Sequence, residues 1–192
     1  MRDTSTMGLI DLPRLPMTAE EFQELPQVEG ARVELWGGNL VVMAAAQMWW
    51  HADVAHRVVS FFREGGCSAN HELGVIVAPR DVPIPDVVVF RERVTDTRRS
   101  QFPAHDVACV VEIVSPESIE RDTKWKPARY AAARIPEFWL ITEDPDDPSE
   151  ADVEIYRLTP GGTYELSRKW ELTDLEAAGY DSRLGFDSRL GA

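Results

Sequence analysis

Glu112 is the residue whose placement asks most of chemistry. It stands between Val110-Val111 and Ile113-Val114, inside the most apolar run of the chain. An isolated buried carboxylate is costly, and acids are rarely buried unless paired or metal-bound. A strand alternates its faces, so a solvent-facing acid near a strand end is the ordinary alternative. The run before Glu112 shows no alternation, which predicts a strand covered on both faces and an acid kept for function. Asp86 is the second carboxylate, following Pro85 at the mouth of PDVVVF. Alone, Pro-Asp before a strand is turn chemistry. Together, two carboxylates on neighbouring buried strands are what a hard divalent cation needs, since Mg²⁺ takes one or two protein carboxylates with waters and phosphate oxygens. Lys126 is the third piece. Pro127 cannot lie deep in a helix, so a helix is expected to begin near 123–126, with Lys126 in or beside its first turn. A lysine there could point back at the metal. A solvated surface lysine is the plain alternative, and Lys124 is a close rival. Arg129, three residues on, shares the helical face of Lys126.

The elements that must position these groups follow from pattern. Residues 1–17 carry prolines and no periodicity and read as a loose arm. Thr18 opens a helix with a reciprocal cap to Glu21, and Met17 and Phe22 sit where a hydrophobic staple would be. RVELW at 32–36 and NLVVM at 39–43 flank Gly37-Gly38, a hairpin signal. HADVAHRVVSFFRE at 51–64 repeats apolar residues at helical spacing and ends at Gly65-Gly66. A strand pattern follows at 75–77, then the valine-rich runs 85–90 and 107–114, continuous as in strands buried on both faces. A helix over about 124–133 precedes strands at 138–141, 153–158 and 163–170. Strands, a helix, then strands again predict a mixed α/β sheet in one domain over 18–180. DSRLGF and DSRLGA at 181–192 form a short tail duplication.

Composition narrows the function. Apolar residues make up 44% of the 192 and charged residues 28%, proportions of a globule and not of a disordered chain. No run approaches the ~20 apolar residues of a membrane helix. Cys67 and Cys109 form no metal or redox spacing, so a cytoplasmic setting is expected. A net charge of −13 argues against a protein that coats nucleic acid by bulk positive charge. The acidity is uneven. Residues 143–154 hold seven acids and no base, whereas Arg121, Lys124, Lys126, Arg129 and Arg134 cluster against Asp122 alone. A local basic face is therefore expected, with Arg121, Lys124 and Arg129 as nucleic-acid contacts.

PD at 85–86, the acid in VVEIVSPES at 111–118 and RDTKWKPARYAAARIPEFWLI at 121–141 resemble the Uma-two (Uma2) family of bacterial putative restriction endonucleases, within the PD-(D/E)XK nuclease superfamily. The resemblance runs from about Thr18 to Trp170 and includes RVELWGGNLVVM as the opening hairpin. It implies a restriction-endonuclease-like α/β core, a central mixed β-sheet flanked by helices. It equates Asp86 and Glu112 with the two acids of the motif. Val114 stands where the simple superfamily pattern has its Lys, and the spacing to Tyr130 favours Lys126 as the migrated lysine. The resemblance also implies Glu34 near the metal and His51 opening the second helix. A sheet-edge charge and a helix N-terminal polar residue are their bland counterparts. Arg134 departs from the family, which usually has Gly before Ile-Pro, and implies a different helix exit.

The expectation is a metal-dependent endonuclease. Asp86 and Glu112 hold Mg²⁺ or Mn²⁺ with the Ile113 carbonyl, and Lys126 positions or deprotonates water. DNA is the expected substrate, with no membrane partner, and a homodimer is implied because cutting both strands needs two sites. The alternatives are a non-catalytic nucleic-acid-binding or assembly module on the same fold, and a metal-dependent hydrolase of small phosphate esters.

Overall fold

The computed structural model describes residues 15–26, 30–44 and 48–180. Most of the expected N-terminal arm and the whole tail at 181–192 lie outside them. Among the described residues, no helix is long and apolar enough to cross a membrane.

The valine runs become the centre of a six-stranded sheet. Its members are β3 (Ser68–His71), β5 (Val87–Phe90), β7 (Val107–Ile113), β8 (Glu137–Glu143), β9 (Ala151–Leu158) and β10 (Tyr164–Glu171). Their order is β10-β9-β8-β7-β5-β3, with β7 and β8 parallel and every other pair antiparallel. All seven residues of β7 are buried, Glu112 included, so the solvent-facing alternative for that acid is excluded.

Period-two alternation sends the two sides of these strands into different cores. Val87, Val89, Cys109, Val111 and Ile113 pack against α2 (Trp49–Glu64) and α4 (Leu172–Ala178). Val88, Phe90, Val110 and Phe138 pack instead with Tyr130 of α3 (Lys126–Ala132) and with Ile135. Both faces being covered explains why valine, β-branched and wholly apolar, fills these strands without interruption.

The hairpin forms as expected, β1 (Ala31–Trp36) pairing antiparallel with β2 (Asn39–Ala44). Gly38 has φ 84°, and a Cβ there would lie 2.6 Å from that of Pro16 and 2.9 Å from the Met17 carbonyl, so this turn must be glycine. The capping box of α1 (Ala19–Gln23) is present, Thr18 and Glu21 bonding each other reciprocally. Met17, Phe22, Leu35 and Val82 form a third apolar cluster that seats the hairpin beside the sheet.

The strand expected at 75–77 forms as β4 (Gly74–Ile76), paired in parallel with β6 (Gln101–Pro103), whereas β3, β6 and α4 have no periodic signal of their own. The helix at Lys126 also differs from expectation. Winding begins upstream, in a π turn over Arg121–Trp125 where the Lys126 amide donates to the Arg121 carbonyl. Pro127 has no amide hydrogen for an ordinary turn, and the looser i→i+5 winding accommodates it. Arg134 adopts φ 62°, the left-handed conformation that glycine would supply. The helix exit is thus retained, with a non-glycine residue in a strained backbone state.

Candidate active site

Asp86 and Glu112 are brought together by register. Val87 opposes Val111, so the next step outward sets Asp86 level with Glu112. Glu112 faces Lys126 and Tyr130 of α3, whereas Asp86 turns to Arg32 and to His51 of α2. Asp86 lies just before β5, and its Oδ2 accepts from the Ile113 amide at 2.7 Å, tying the end of one strand to the other. Both acids, with Ile113 and Val114, line a cavity of about 570 Å³ at the carboxyl end of β7, where ligands collect in α/β sheets.

Each carboxylate has a defined set of partners. Asp86 Oδ1 accepts from Arg32 Nη1 at 2.9 Å, and Oδ2 also faces His51 Nε2 at 3.4 Å. Burial alone would raise the Asp86 pKa, but the His51 bond and the charges of Arg32 and Lys126 outweigh it. Asp86 is held well below the usual carboxylate range. His51, the third residue of α2, shifts the other way. Burial would lower its pKa, yet the Asp86 bond, with a smaller contribution from the Ile113 backbone, raises it.

Glu112 is wholly buried. Its Oε1 accepts from Tyr130 Oη at 2.5 Å and its Oε2 from Lys126 Nζ at 2.9 Å. Burial pushes the Glu112 pKa well up, against the pull of Lys126. The Lys126 ammonium also lies 3.3 Å from Glu34 and 3.4 Å from Asp122, and donates to the Ile84 carbonyl at 3.2 Å. Burial would lower its pKa, and Glu112, Glu34 and Asp122 together raise it instead. Lys126 is therefore a fixed ammonium among three carboxylates.

The remaining expected residues separate. Glu34 is buried, not a sheet-edge charge. Its Oε1 accepts from the Ile84 amide and its Oε2 from Trp36 Nε1, at 2.9 and 2.7 Å. Arg121 lines the cavity and pairs with Asp122 at 3.3 Å. Lys124 is exposed and pairs with Glu120 on the same helical winding. Arg129 turns to the hairpin, 3.3 Å from Asp81 and 4.4 Å over the Trp36 ring. The expected single basic face is therefore dispersed: Lys126 is interior, and only Arg121 of the three outer cations reaches the cavity.

Arg32, Asp122 and Tyr130 are site residues that the sequence pattern did not mark as such. Arg32 stands two residues before Glu34, on one strand face. Asp122 and Tyr130 flank Lys126 at four-residue intervals, a spacing that stacks side chains on one helical face.

The donor set suits a hard cation of modest ligand demand. No group of three or more His, Cys, Asp or Glu side chains converges in ligating geometry among the described residues. Two opposed carboxylates are present, and Mg²⁺ requires no more than one or two. Glu34, Asp86, Glu112 and Asp122 stand against three permanent cations, Arg32, Arg121 and Lys126. The acids outnumber the cations by one, and Asp122 and Asp86 add a smaller push to the burial that raises the Glu112 pKa.

Residues 19–178 match the model of the Uma2 family, described as putative restriction endonuclease, and the chain belongs to that family. A crystal structure of a putative nuclease of DUF820 from Anabaena variabilis is similar in fold, with a TM-score of 0.60 and 20% sequence identity. The similarity covers 84% of this chain and 98% of that one. No curated protein matches the sequence.

Proposed function

We propose that this protein is a divalent-metal-dependent endonuclease that hydrolyses phosphodiester bonds of DNA. One observation carries the reading: Asp86 and Glu112 stand opposed across the β5–β7 register on a cavity wall, with the Lys126 ammonium 2.9 Å from Glu112. Asp86 and Glu112, with the Ile113 carbonyl, would hold Mg²⁺ or Mn²⁺. The ion, when bound, polarises a phosphoryl oxygen and lowers the pKa of a coordinated water.

The protein's own groups do the rest. Lys126 keeps its proton, so its role is to offset charge developing on the phosphate, not to take the proton from water. Glu34 and Asp122 hold that ammonium in place. His51 and Arg32 orient Asp86, and Arg121 at the cavity wall contacts the substrate backbone. A homodimer accounts for cutting both strands, and sedimentation measures it directly.

Plasmid nicking with and without Mg²⁺ tests the reading. Wild type should nick only with metal, and Glu112→Ala should not nick at all. Undiminished nicking by the purified variant would sink the assignment. A second reading, hydrolysis of a small phosphate ester, is favoured by the acids Glu72, Glu117 and Glu143 lining the same cavity. Competition between plasmid and small phosphodiesters separates the two.

A further inference from the structure

Beyond Phe90 the chain leaves β5 as residues 91–100, RERVTDTRRS, four arginines against Glu92 and Asp96 in a protein of net charge −13. Asp86 precedes β5 and Arg91 follows it, so about 16 Å of extended chain separates this segment from the catalytic end. A cavity of about 730 Å³ lies here and shares no lining residue with the catalytic one. Arg63, Arg91, Arg93 and Arg99 line it together with Phe90 and Phe102, and outnumber the two acids on the same wall, Glu92 and Asp96.

The arginines are arranged for an external anion. Arg63 donates through Nε to the Ala69 carbonyl at 2.9 Å, and Arg99 through Nε to the Gln101 carbonyl at 2.7 Å. These bonds use the inner nitrogen of each guanidinium, so the outer N–H groups stay available. The Arg99 guanidinium also lies 5.1 Å from the centroid of the Phe102 ring. Arg32, Arg57, Arg121 and Arg129 all pair with carboxylates. The four around this cavity form no ion pair among the described residues. Like charges gathered without ion pairs repel, and an incoming anion relieves that repulsion. A guanidinium fork matches phosphate in bidentate geometry. Phe90 and Phe102, with ring centroids 4.6 Å apart, add an apolar wall, and the volume is that of a small-molecule site.

We propose that this cavity binds the phosphate of a nucleotide, either free or as a unit of a nucleic-acid strand, with Arg91 and Arg93 as the principal contacts. The proposal stands apart from the catalytic reading, because binding here needs neither Asp86 nor a metal.

The test is fluorescence anisotropy on the full chain in EDTA, so that no cleavage intervenes. The probes are labelled oligothymidylate and labelled thymidine triphosphate, and the variant is R91A/R93A. Both side chains are exposed and unpartnered, so the variant should melt as wild type does. The expected result is a roughly tenfold or greater weakening. If the source is a strand, oligothymidylate weakens and the slope of log Kd against log salt falls by about 1.4, because two phosphates of a single strand are no longer neutralised. If the source is a free nucleotide, the triphosphate alone weakens. Equal affinity of variant and wild type for both probes, or no binding of either by wild type, overturns the proposal.

Discussion

The Lys126 ammonium and the Glu112 carboxylate meet at 2.9 Å where solvent reaches neither. Removing one partner of a buried pair leaves the other uncompensated, a loss of about 3–5 kcal/mol. Lys126→Ala also takes the nearest cation from Glu34 and leaves Asp122 with Arg121 alone. It should destabilise by that amount in urea unfolding, whereas Lys124→Ala at the surface should change little. Where Lys126→Ala folds at low temperature, its nicking rate should be lower by roughly 10²–10³, the loss expected of a charge-stabilising donor. Equal effects of the two substitutions would exclude Lys126 from the site.

Glu112→Gln separates metal binding from scaffolding. The introduced amide can turn its oxygen to Lys126 and donate its NH2 to the Tyr130 hydroxyl oxygen, and Lys126 keeps two other carboxylates. Relief of the buried charge should leave the metal-free variant at least as stable as wild type. Mg²⁺ at tenfold its Kd should stabilise wild type by about 1.4 kcal/mol and the variant not at all. Thermal melts with and without metal measure both. A large loss of metal-free stability together with a metal-insensitive wild type would assign Glu112 to structure alone.

Tyr130→Phe removes the hydroxyl that donates to Glu112 and leaves one oxygen of a buried acid without that partner. The expected cost is about 1–3 kcal/mol in denaturant unfolding. A neutral substitution would mean that another donor takes over.

Glu137 supplies a pH signature away from the cavity. It opens β8, buried, with Trp139 Nε1 donating to Oε1 at 2.6 Å and Arg157 3.9 Å from Oε2. Burial pushes its pKa from 4.5 up to about 7, Trp139 and Arg157 opposing only in part. The folded state then holds the proton more tightly than the unfolded chain. Its stabilising contribution is full below pH 4.5 and is lost as pH rises to about 7. Glu137→Gln should match wild type below that window and exceed it above, by at most about 3 kcal/mol. Parallel stability curves across this pH range would refute the shift.

Arg134→Gly should stabilise by about 1 kcal/mol, since glycine adopts φ 62° without the Cβ clash that arginine bears. Calorimetric melting of the variant measures it, and a lower melting temperature would show that the arginine side chain contributes more than the backbone strain costs.

The central strands were legible because valine runs without alternation have one comfortable environment, a sheet covered on both sides. The same absence of alternation predicted the burial of Glu112. Lys126 was reachable through Pro127, which fixed where regular helix could begin. Arg32 and Asp122 were not, since each looks like an ordinary surface residue until the hairpin docks on the segment before β5. The basic face failed for a local reason. A face read at 3.6 residues per turn is not kept across a π turn, so Arg121, Lys124 and Arg129 diverge. The arginines at 91–100 lie in a loop without periodicity, and only the folded chain shows the cavity behind them.

The Lys126 cluster is assembled from distant parts of the chain. Arg32 reaches Asp86 across 54 residues and Lys126 reaches Ile84 across 42. No local segment contains both the acids and their counter-ions, so no fragment can form the cluster by itself. Fraying of the helix that bears Lys126 would set Glu34 and Glu112 against each other inside the protein. Docking of the hairpin, closure of the β5–β7 end and winding of α3 are thereby coupled into one cooperative unit, with long loops to close before Arg32 can meet Asp86 or Lys126 can meet Glu34. Amide exchange at the Ile113 and Ile84 hydrogens would report the opening of that unit as a whole.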